Sequence, residues 1–140
     1  MGTSLSFYRG SDFNEELVAR LRESTGLPCS TMSHAILRGL RASGIERVAV
    51  ASSYIDDVNQ RLVRFLAQNQ IQAVCAYGLG VNDVTAMSQI STQELVDLCL
   101  KTWDIAQEQA PGQAQGLLLS CGGLVSLEAV RQVEDKLGVT

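Results

Sequence analysis

The feature that most constrains the fold of this chain is a regular alternation of helical segments with short apolar runs. Three runs have the length and aliphatic character of buried strands: Arg47–Ser52, Ile71–Tyr77 and Gly116–Cys121. The segments between them carry apolar residues at helical spacing. Because parallel strands need a crossover between them, this alternation predicts an α/β fold with a mostly parallel sheet and helices on both faces.

A fourth, weaker strand is predicted over 27–32, so the expected architecture is a three-layer, Rossmann-like or flavodoxin-like domain with a four-stranded sheet. Helices are predicted over 12–24, 33–42 (capped by Ser33) and 125–137, and further helices begin near Asp56 and Ser91. Ser91 and Glu94 have the form of a capping box. The last helix is expected to bury an apolar stripe of Leu127, Val130, Val133 and Leu137.

Composition and charge restrict the partners. The chain has 140 residues, of which 46% are hydrophobic and 19% charged, which fits one globular domain. A net charge of −4 gives no electrostatic footprint for nucleic acid or for an anionic membrane. No run approaches the ~18 apolar residues of a membrane span, and no signal peptide pattern is seen. A cytoplasmic location is therefore expected.

Neither a metal nor a cofactor is predicted from the motifs. The cysteines, Cys29, Cys75, Cys99 and Cys121, are widely spaced and form no C-x-x-C pair. The glycine pattern at 78–80 lacks the third glycine of a dinucleotide fingerprint, and no P-loop sequence is present. Acidic residues at 56 and 57 are better explained as helix-start residues than as a metal pair.

Cys121 differs from the other cysteines because it ends a buried strand and precedes Gly122 and Gly123. Ligands of parallel α/β sheets bind at the carboxyl ends of the strands. The two glycines allow main-chain N–H groups to approach a ligand closely. A helix opening at about Leu124 would place its positive end beside the sulfur. Cys121 is thus a candidate catalytic residue, and the alternative is a small packing residue.

Three blocks of sequence carry a resemblance to a known family: Gly2–Gly10, Tyr54–Asn59 and Leu118–Leu124. Together they resemble the arylmalonate decarboxylase family of the aspartate/glutamate racemase superfamily, and the resemblance extends along essentially the whole chain. Family members are longer at both ends and fold as two similar α/β halves with the active site between them. The resemblance implies that residues 1–26 are a terminal loop and helix belonging to the partner half, and that 27–140 form the α/β domain with the catalytic cysteine.

The resemblance also implies a chemistry. An arylmalonate-like dicarboxylate would lose CO₂ without a cofactor, and the thiol of Cys121 would protonate one face of the enediolate. Hydrogen bonds to the retained carboxylate would come from Thr3, Ser4 and Tyr54, and from the main-chain N–H groups of Ser4 and Gly122. An apolar pocket around the departing carboxylate would include Val84 and Met87.

Two other interpretations stay open. Racemases and maleate isomerases of the superfamily use two cysteines on opposite faces of the substrate, and the position that matches the first is Gly2. A single thiol favours a decarboxylase, but a racemase-type or isomerase-type half-site completed by another chain, or a non-catalytic α/β association domain, remains possible. Because an incomplete α/β half would expose apolar sheet surface, self-association or pairing with a complementary chain is expected.

Overall fold

Three parallel strands form the centre of the fold in a computed structural model, which describes residues 2–139 and all of their side chains except that of Val84. The strand order is β2-β1-β3, and every pairing is parallel. The elements, in chain order, are α1 (Leu5–Tyr8), α2 (Ser11–Thr25), α3 (Met32–Ala42), β1 (Arg47–Ser52), α4 (Asp56–Gln68), β2 (Gln72–Gly78), α5 (Val84–Ser88), α6 (Thr92–Gln109), β3 (Gly116–Ser120) and α7 (Leu127–Leu137). The predicted α/β class is confirmed.

The sheet has three strands between residues 2 and 139, and the fourth strand predicted over 27–32 was wrong. That segment runs as irregular chain into α3. Pro28 has no N–H for a strand ladder, and Leu27 is exposed. Thr31, rather than the predicted Ser33, caps α3, because its side chain accepts a hydrogen bond from the His34 N–H at 3.2 Å.

The other boundaries follow the sequence closely, with one correction at the C-terminal helix. The capping box that opens α6 is present: Ser91 and Glu94 bond reciprocally. In contrast, α7 begins two residues later than predicted, at Leu127, and that leucine is 79% exposed rather than part of the buried stripe. Ala129 and Val133, one helical turn apart, are the buried residues of α7.

The core lies on both faces of the sheet. β1 is the central strand, and its residues 48–51 have no exposed surface. Helices α3 and α4 cover one face, where Leu37, Leu62 and Phe65 pack together. Helices α6 and α7 cover the other face. No helix within the described range is long and apolar enough to cross a membrane.

The N-terminal segment is held against the α4 side of the sheet. Phe7 is fully buried, and its ring centroid lies 6.0 Å from that of Tyr54 and 6.3 Å from that of Phe65. The Ser6 hydroxyl also bonds to that of Ser33 in α3 at 2.7 Å. These contacts tie down α1, which the sequence did not predict. The assignment of residues 1–26 to a partner half stays a prediction.

Candidate active site

A cleft of about 280 Å³ opens at the carboxyl ends of β1 and β3. The start of the chain, the residues after both strands, and α5 with the loop before it supply its walls. The lining residues are Gly2, Thr3, Ser4, Tyr54, Ile55, Val58, Val81, Asn82, Met87, Cys121, Gly122 and Gly123. The structure therefore brings the candidate residues Thr3, Ser4, Tyr54, Met87, Cys121 and Gly122 into one cleft. Val84 opens α5, and its side chain lies outside the described part; the roles of all seven stay predictions.

Cys121 follows β3 directly, and its thiol faces the cleft. The residue is half-buried, and its Sγ lies 3.7 Å from Sδ of Met87 in α5. A Cβ at position 123 would come within 3.8 Å of this sulfur, so glycine keeps the space beside the thiol open. The Cys121 sulfur thus has the apolar Met87 side chain on one side and open space next to Gly123 on another.

The two glycines form a turn rather than the start of a helix. The N–H of Leu124 donates to the Cys121 carbonyl oxygen at 3.3 Å, and α7 begins only at Leu127. The expectation that the next helix opens at about Leu124, with its positive end beside the sulfur, was therefore wrong. A Cβ on Gly122 would lie 3.0 Å from the Gly2 carbonyl oxygen, so this position favours glycine because two main-chain segments approach each other closely.

Tyr54 is the most deeply buried polar group of the cleft wall. The residue is 6% exposed, and its hydroxyl oxygen accepts a hydrogen bond from Ser120 Oγ at 3.4 Å. Burial raises the pKa of Tyr54 to about 12; negative charge on Cys121 acts in the same direction, and the bond from Ser120 opposes both. The phenol is therefore a neutral hydrogen-bond donor at physiological pH.

A buried network fixes the end of β1 beneath Tyr54. Ser52 Oγ donates to Asn59 Oδ1 at 2.6 Å and accepts from the Tyr54 N–H at 3.1 Å. After β2, the N–H of Gly80 donates to the Tyr54 carbonyl oxygen at 3.2 Å. Gly78 lies so close that a Cβ there would overlap this carbonyl oxygen and the Asn59 amide nitrogen. These supporting residues are not predicted from the sequence, where the only signal for them is the glycine that ends the strand.

No described residue gives Cys121 an imidazole partner. His34 bonds to Glu15 at 2.7 Å, which links α3 to α2 and lowers the pKa of the Glu15 carboxyl, and it does not line the cleft. Across residues 2–139 no group of three or more His, Cys, Asp or Glu side chains is arranged to hold a metal ion. The groups that line the cleft are thus a thiol, hydroxyls, the Asn82 carboxamide, main-chain amides and apolar side chains.

Comparison with known proteins identifies the family. The sequence profile of the arylmalonate decarboxylase family matches residues 1–140. The chain belongs to the arylmalonate decarboxylase family. Arylmalonate decarboxylase from Bordetella bronchiseptica is 52% identical over 139 residues, which cover 99% of this chain and 56% of that protein. The chain thus spans about half the length of this curated relative.

Solved structures agree with the family assignment. A crystal structure of arylmalonate decarboxylase matches with a TM-score of 0.87 at 51% identity, over 99% of this chain and 59% of the other. A liganded glycine-to-cysteine, cysteine-to-serine double mutant of arylmalonate decarboxylase matches with a TM-score of 0.90 at 52% identity, over 98% and 56% of the two chains. Maleate isomerase from Pseudomonas putida S16, solved with maleate, shares the fold at 20% identity, with a TM-score of 0.83 over 99% and 56%.

In this member of the arylmalonate decarboxylase family, we expect alkylation to separate the cysteines by exposure. Cys99 is buried, and burial raises the pKa of its thiol to about 11. Burial also raises the pKa of Cys75. Since the thiolate is the reactive form, iodoacetamide should modify the half-buried Cys29 and Cys121 first. Peptide mass spectrometry of the native protein checks this, and early labelling of Cys99 would contradict it.

The Tyr54 phenol should stay protonated well above the usual tyrosine range. An unfolded tyrosine titrates near pH ~10, whereas burial raises the folded-state pKa of Tyr54 to about 12. The unfolded chain loses this proton first, so the contribution of Tyr54 to stability is complete below pH ~10 and is lost as the pH rises towards 12. The difference in phenolate absorbance between the native protein and Tyr54→Phe measures this titration. A midpoint near pH ~10 would contradict the buried geometry.

Proposed function

We propose that this site performs the cofactor-independent decarboxylation of an arylmalonate, with the enediolate intermediate protonated on one face by Cys121. The observation that carries the proposal is the convergence of a single thiol with the hydroxyls of Thr3, Ser4 and Tyr54 in one cleft. The other described cysteines lie outside its lining. Membership of a family named for this reaction supports the same chemistry.

The proposed reaction balances without an oxidant or a reductant. The bond between the α-carbon and one carboxylate breaks, and CO₂ leaves. The electron pair of that bond moves into the retained carboxylate, which becomes an enediolate conjugated with the aryl ring. The S–H bond of Cys121 then breaks as a C–H bond forms at the α-carbon. The thiolate regains its proton from water, and the thiol is restored for the next turnover.

The hydroxyls at the start of the chain are free to donate to the developing enediolate. The Thr3 hydroxyl oxygen accepts from the Leu5 N–H at 3.4 Å, which leaves its proton available. Ser4 precedes α1 but makes no capping hydrogen bond with its side chain. Negative charge accumulates on two oxygens in the transition state, and each preorganised donor is worth about 3 kcal/mol there. These donors would replace the electron sink that a cofactor supplies in other decarboxylases.

The departing carboxylate would lie beside apolar side chains of the cleft lining, which include Met87, Val81 and Val58. Such surroundings disfavour a carboxylate and accept neutral CO₂, which promotes the loss of charge from that group. Val84 begins the same helix as Met87, and we assign it to this pocket on the resemblance alone. The cleft thus offers polar groups for the retained carboxylate and apolar side chains for the leaving one.

Protonation by one thiol gives a single product configuration. A racemase needs a second acid on the opposite face, and the matching position in this chain is Gly2. A Cβ at Gly2 would have no neighbour within 4 Å, so the space is open but chemically empty. A decarboxylase that delivers its proton to one face is therefore favoured over a racemase or isomerase half-site.

We also propose a cytoplasmic location and association with a second polypeptide surface, either a copy of this chain or a complementary chain. Large apolar side chains are exposed in the segment that follows β3 and the cleft: Val125 is 78% exposed and Leu127 is 79% exposed. Exposed apolar surface of this kind is stabilised by burial against a partner. Light scattering across a dilution series tests self-association, and a strictly monomeric species would argue against a copy of this chain as the partner.

The test of function is CO₂ release from phenylmalonate. Two proteins are compared: this chain alone, and a fusion in which it replaces the matching 139 residues of the Bordetella bronchiseptica relative. In D₂O the product should carry deuterium in one configuration. Turnover by either protein supports the proposal. Two folded proteins that release no CO₂ above background would leave the non-catalytic association domain as the better interpretation.

A further inference from the structure

Ser120 is a buried hydroxyl beside the reactive centre that the mechanism above does not use. It is the last residue of β3, directly before Cys121, and it is 3% exposed. Alternate residues of a strand point to the same face of a sheet. Ser120 therefore shares the α4 side of the sheet with Leu118, which packs in the same cluster as Tyr54.

We propose that Ser120 is a positioning residue for Tyr54, which it holds with the phenol proton directed at the retained carboxylate of the substrate. The inference rests on the proposed function. It assigns no contact between Ser120 and the substrate. Ser120 would act only through the tyrosine ring, by fixing which way the Tyr54 O–H bond points.

The direction of the hydrogen bond carries the argument. A phenol has one proton to donate and lone pairs that accept. The geometry makes Ser120 Oγ the donor and Tyr54 Oη the acceptor, at 3.4 Å. Within residues 2–139 the Tyr54 hydroxyl donates to no protein group, so its proton is available to the cleft that it lines. Bonds of this length are common in ligand-free sites and tighten when the substrate binds.

The position of both partners is fixed by the same pair of strands. Ser120 pairs with Ser52 in the register of β1 and β3, and Ser52 Oγ accepts from the Tyr54 N–H at 3.1 Å. A hydroxyl that accepts one hydrogen bond becomes a stronger donor in the next, because the bonds polarise each other. Since Cys121 follows Ser120, the proton donor and the oxyanion donor share one anchor at the end of β3.

A double-mutant cycle tests the inference, using whichever of the two proteins above turns over phenylmalonate. Ser120→Ala should lower kcat about tenfold with KM changed less than about twofold, because the hydrogen bond strengthens as negative charge grows on the enediolate oxygens in the transition state. In the Tyr54→Phe background the same change should have no further effect. Ser120→Thr, which keeps the hydroxyl, should recover most of the loss.

The matched control is Ser53→Ala. Ser53 is also fully buried at the end of β1, but its hydroxyl has no hydrogen-bond partner among the described residues, so kcat should not change. If Ser120→Ala does not fold, Ser120→Cys removes most of the donor strength at nearly constant volume, and the same cycle applies. Additive losses from the Ser120 and Tyr54 changes, or an unchanged kcat in Ser120→Ala, would overturn the inference.

Failure of the inference and failure of the proposed function give different results. Turnover by the parent protein with additive losses overturns only the role of Ser120. Absence of turnover in the parent overturns the proposed function, and with it a role for Ser120 in that reaction. The Ser120–Tyr54 contact itself is then read from the phenolate titration, where Ser120→Ala should shift the Tyr54 midpoint to higher pH because a bond that stabilises the phenolate is lost.

Discussion

Cys121→Ser is expected to reduce CO₂ release from phenylmalonate by about 10³-fold, within the range that general acid catalysis supplies. A serine hydroxyl is a far weaker acid than a thiol, so the enediolate is left without a proton donor on the side where Cys121 lies. The loss should appear in kcat, because serine preserves the volume of the site and the hydroxyls proposed to bind the retained carboxylate are unchanged. Steady-state assays of the purified variant measure this.

Cys29→Ser is the control for that result. Cys29 is half-buried like Cys121, but it lies in the irregular segment before α3 and does not line the cleft. Its replacement should leave kcat within about twofold of the parent value, which corresponds to less than ~0.5 kcal/mol. A Cys121→Ser variant that keeps more than a tenth of the parent kcat would show that another group supplies the proton.

Gly78→Ala is expected to destabilise the protein by about 3 kcal/mol or more, at the upper end of the cost of overpacking. The new Cβ would overlap the carbonyl oxygen of Tyr54 and the side-chain amide of Asn59. The carbonyl oxygen belongs to the main chain and the amide to the buried network under Tyr54. Neither group can move away without a large cost in free energy. Any fraction of the variant that still folds should also lose activity, because relief of the overlap displaces Tyr54. Urea unfolding gives the change in free energy.

Gly39→Ala is the matched control for Gly78→Ala. Gly39 lies within α3, is exposed, and has open space where a Cβ would stand. Alanine is favoured over glycine in a helix interior by about 1 kcal/mol, so this variant should be more stable than the parent. A lower unfolding midpoint than the parent for Gly78→Ala, together with a higher one for Gly39→Ala, would support the packing at Gly78. Equal midpoints would contradict it.

The elements that follow from local patterns could be predicted from the sequence. Strand β1 is a continuous apolar run that matches its predicted bounds, and the capping box of Ser91 and Glu94 opens α6 as predicted. The apolar residues of segment 27–32 predict a strand, but Pro28 has no N–H for a ladder, and the segment runs as irregular chain into α3. Leu127 is exposed because it is the first residue of α7 and lies ahead of the buried residues Ala129 and Val133.

The contacts that build the cleft could be predicted from the sequence only in part. The position of Cys121 at a strand end followed from the strand pattern and from the general placement of ligands in parallel sheets. The hydrogen bond between Ser120 and Tyr54 spans 66 residues, and the close approach of Gly2 to Gly122 spans still more of the chain. Such contacts depend on how strands pair and how α1 packs, which no local window of sequence specifies.

Phe7 is buried against Tyr54 and Phe65, so ligand binding at the cleft and the stability of the core depend on the same contacts. The Phe7 side chain, which holds the segment that carries the Thr3 and Ser4 hydroxyls, is also part of the hydrophobic core. A carboxylate bound by those hydroxyls would therefore raise the melting temperature, by an amount that grows with the logarithm of its concentration relative to its Kd. Conversely, truncation of Phe65 to alanine, although remote from the reacting atoms, would weaken carboxylate binding and also lower the free energy of unfolding by about 3–5 kcal/mol.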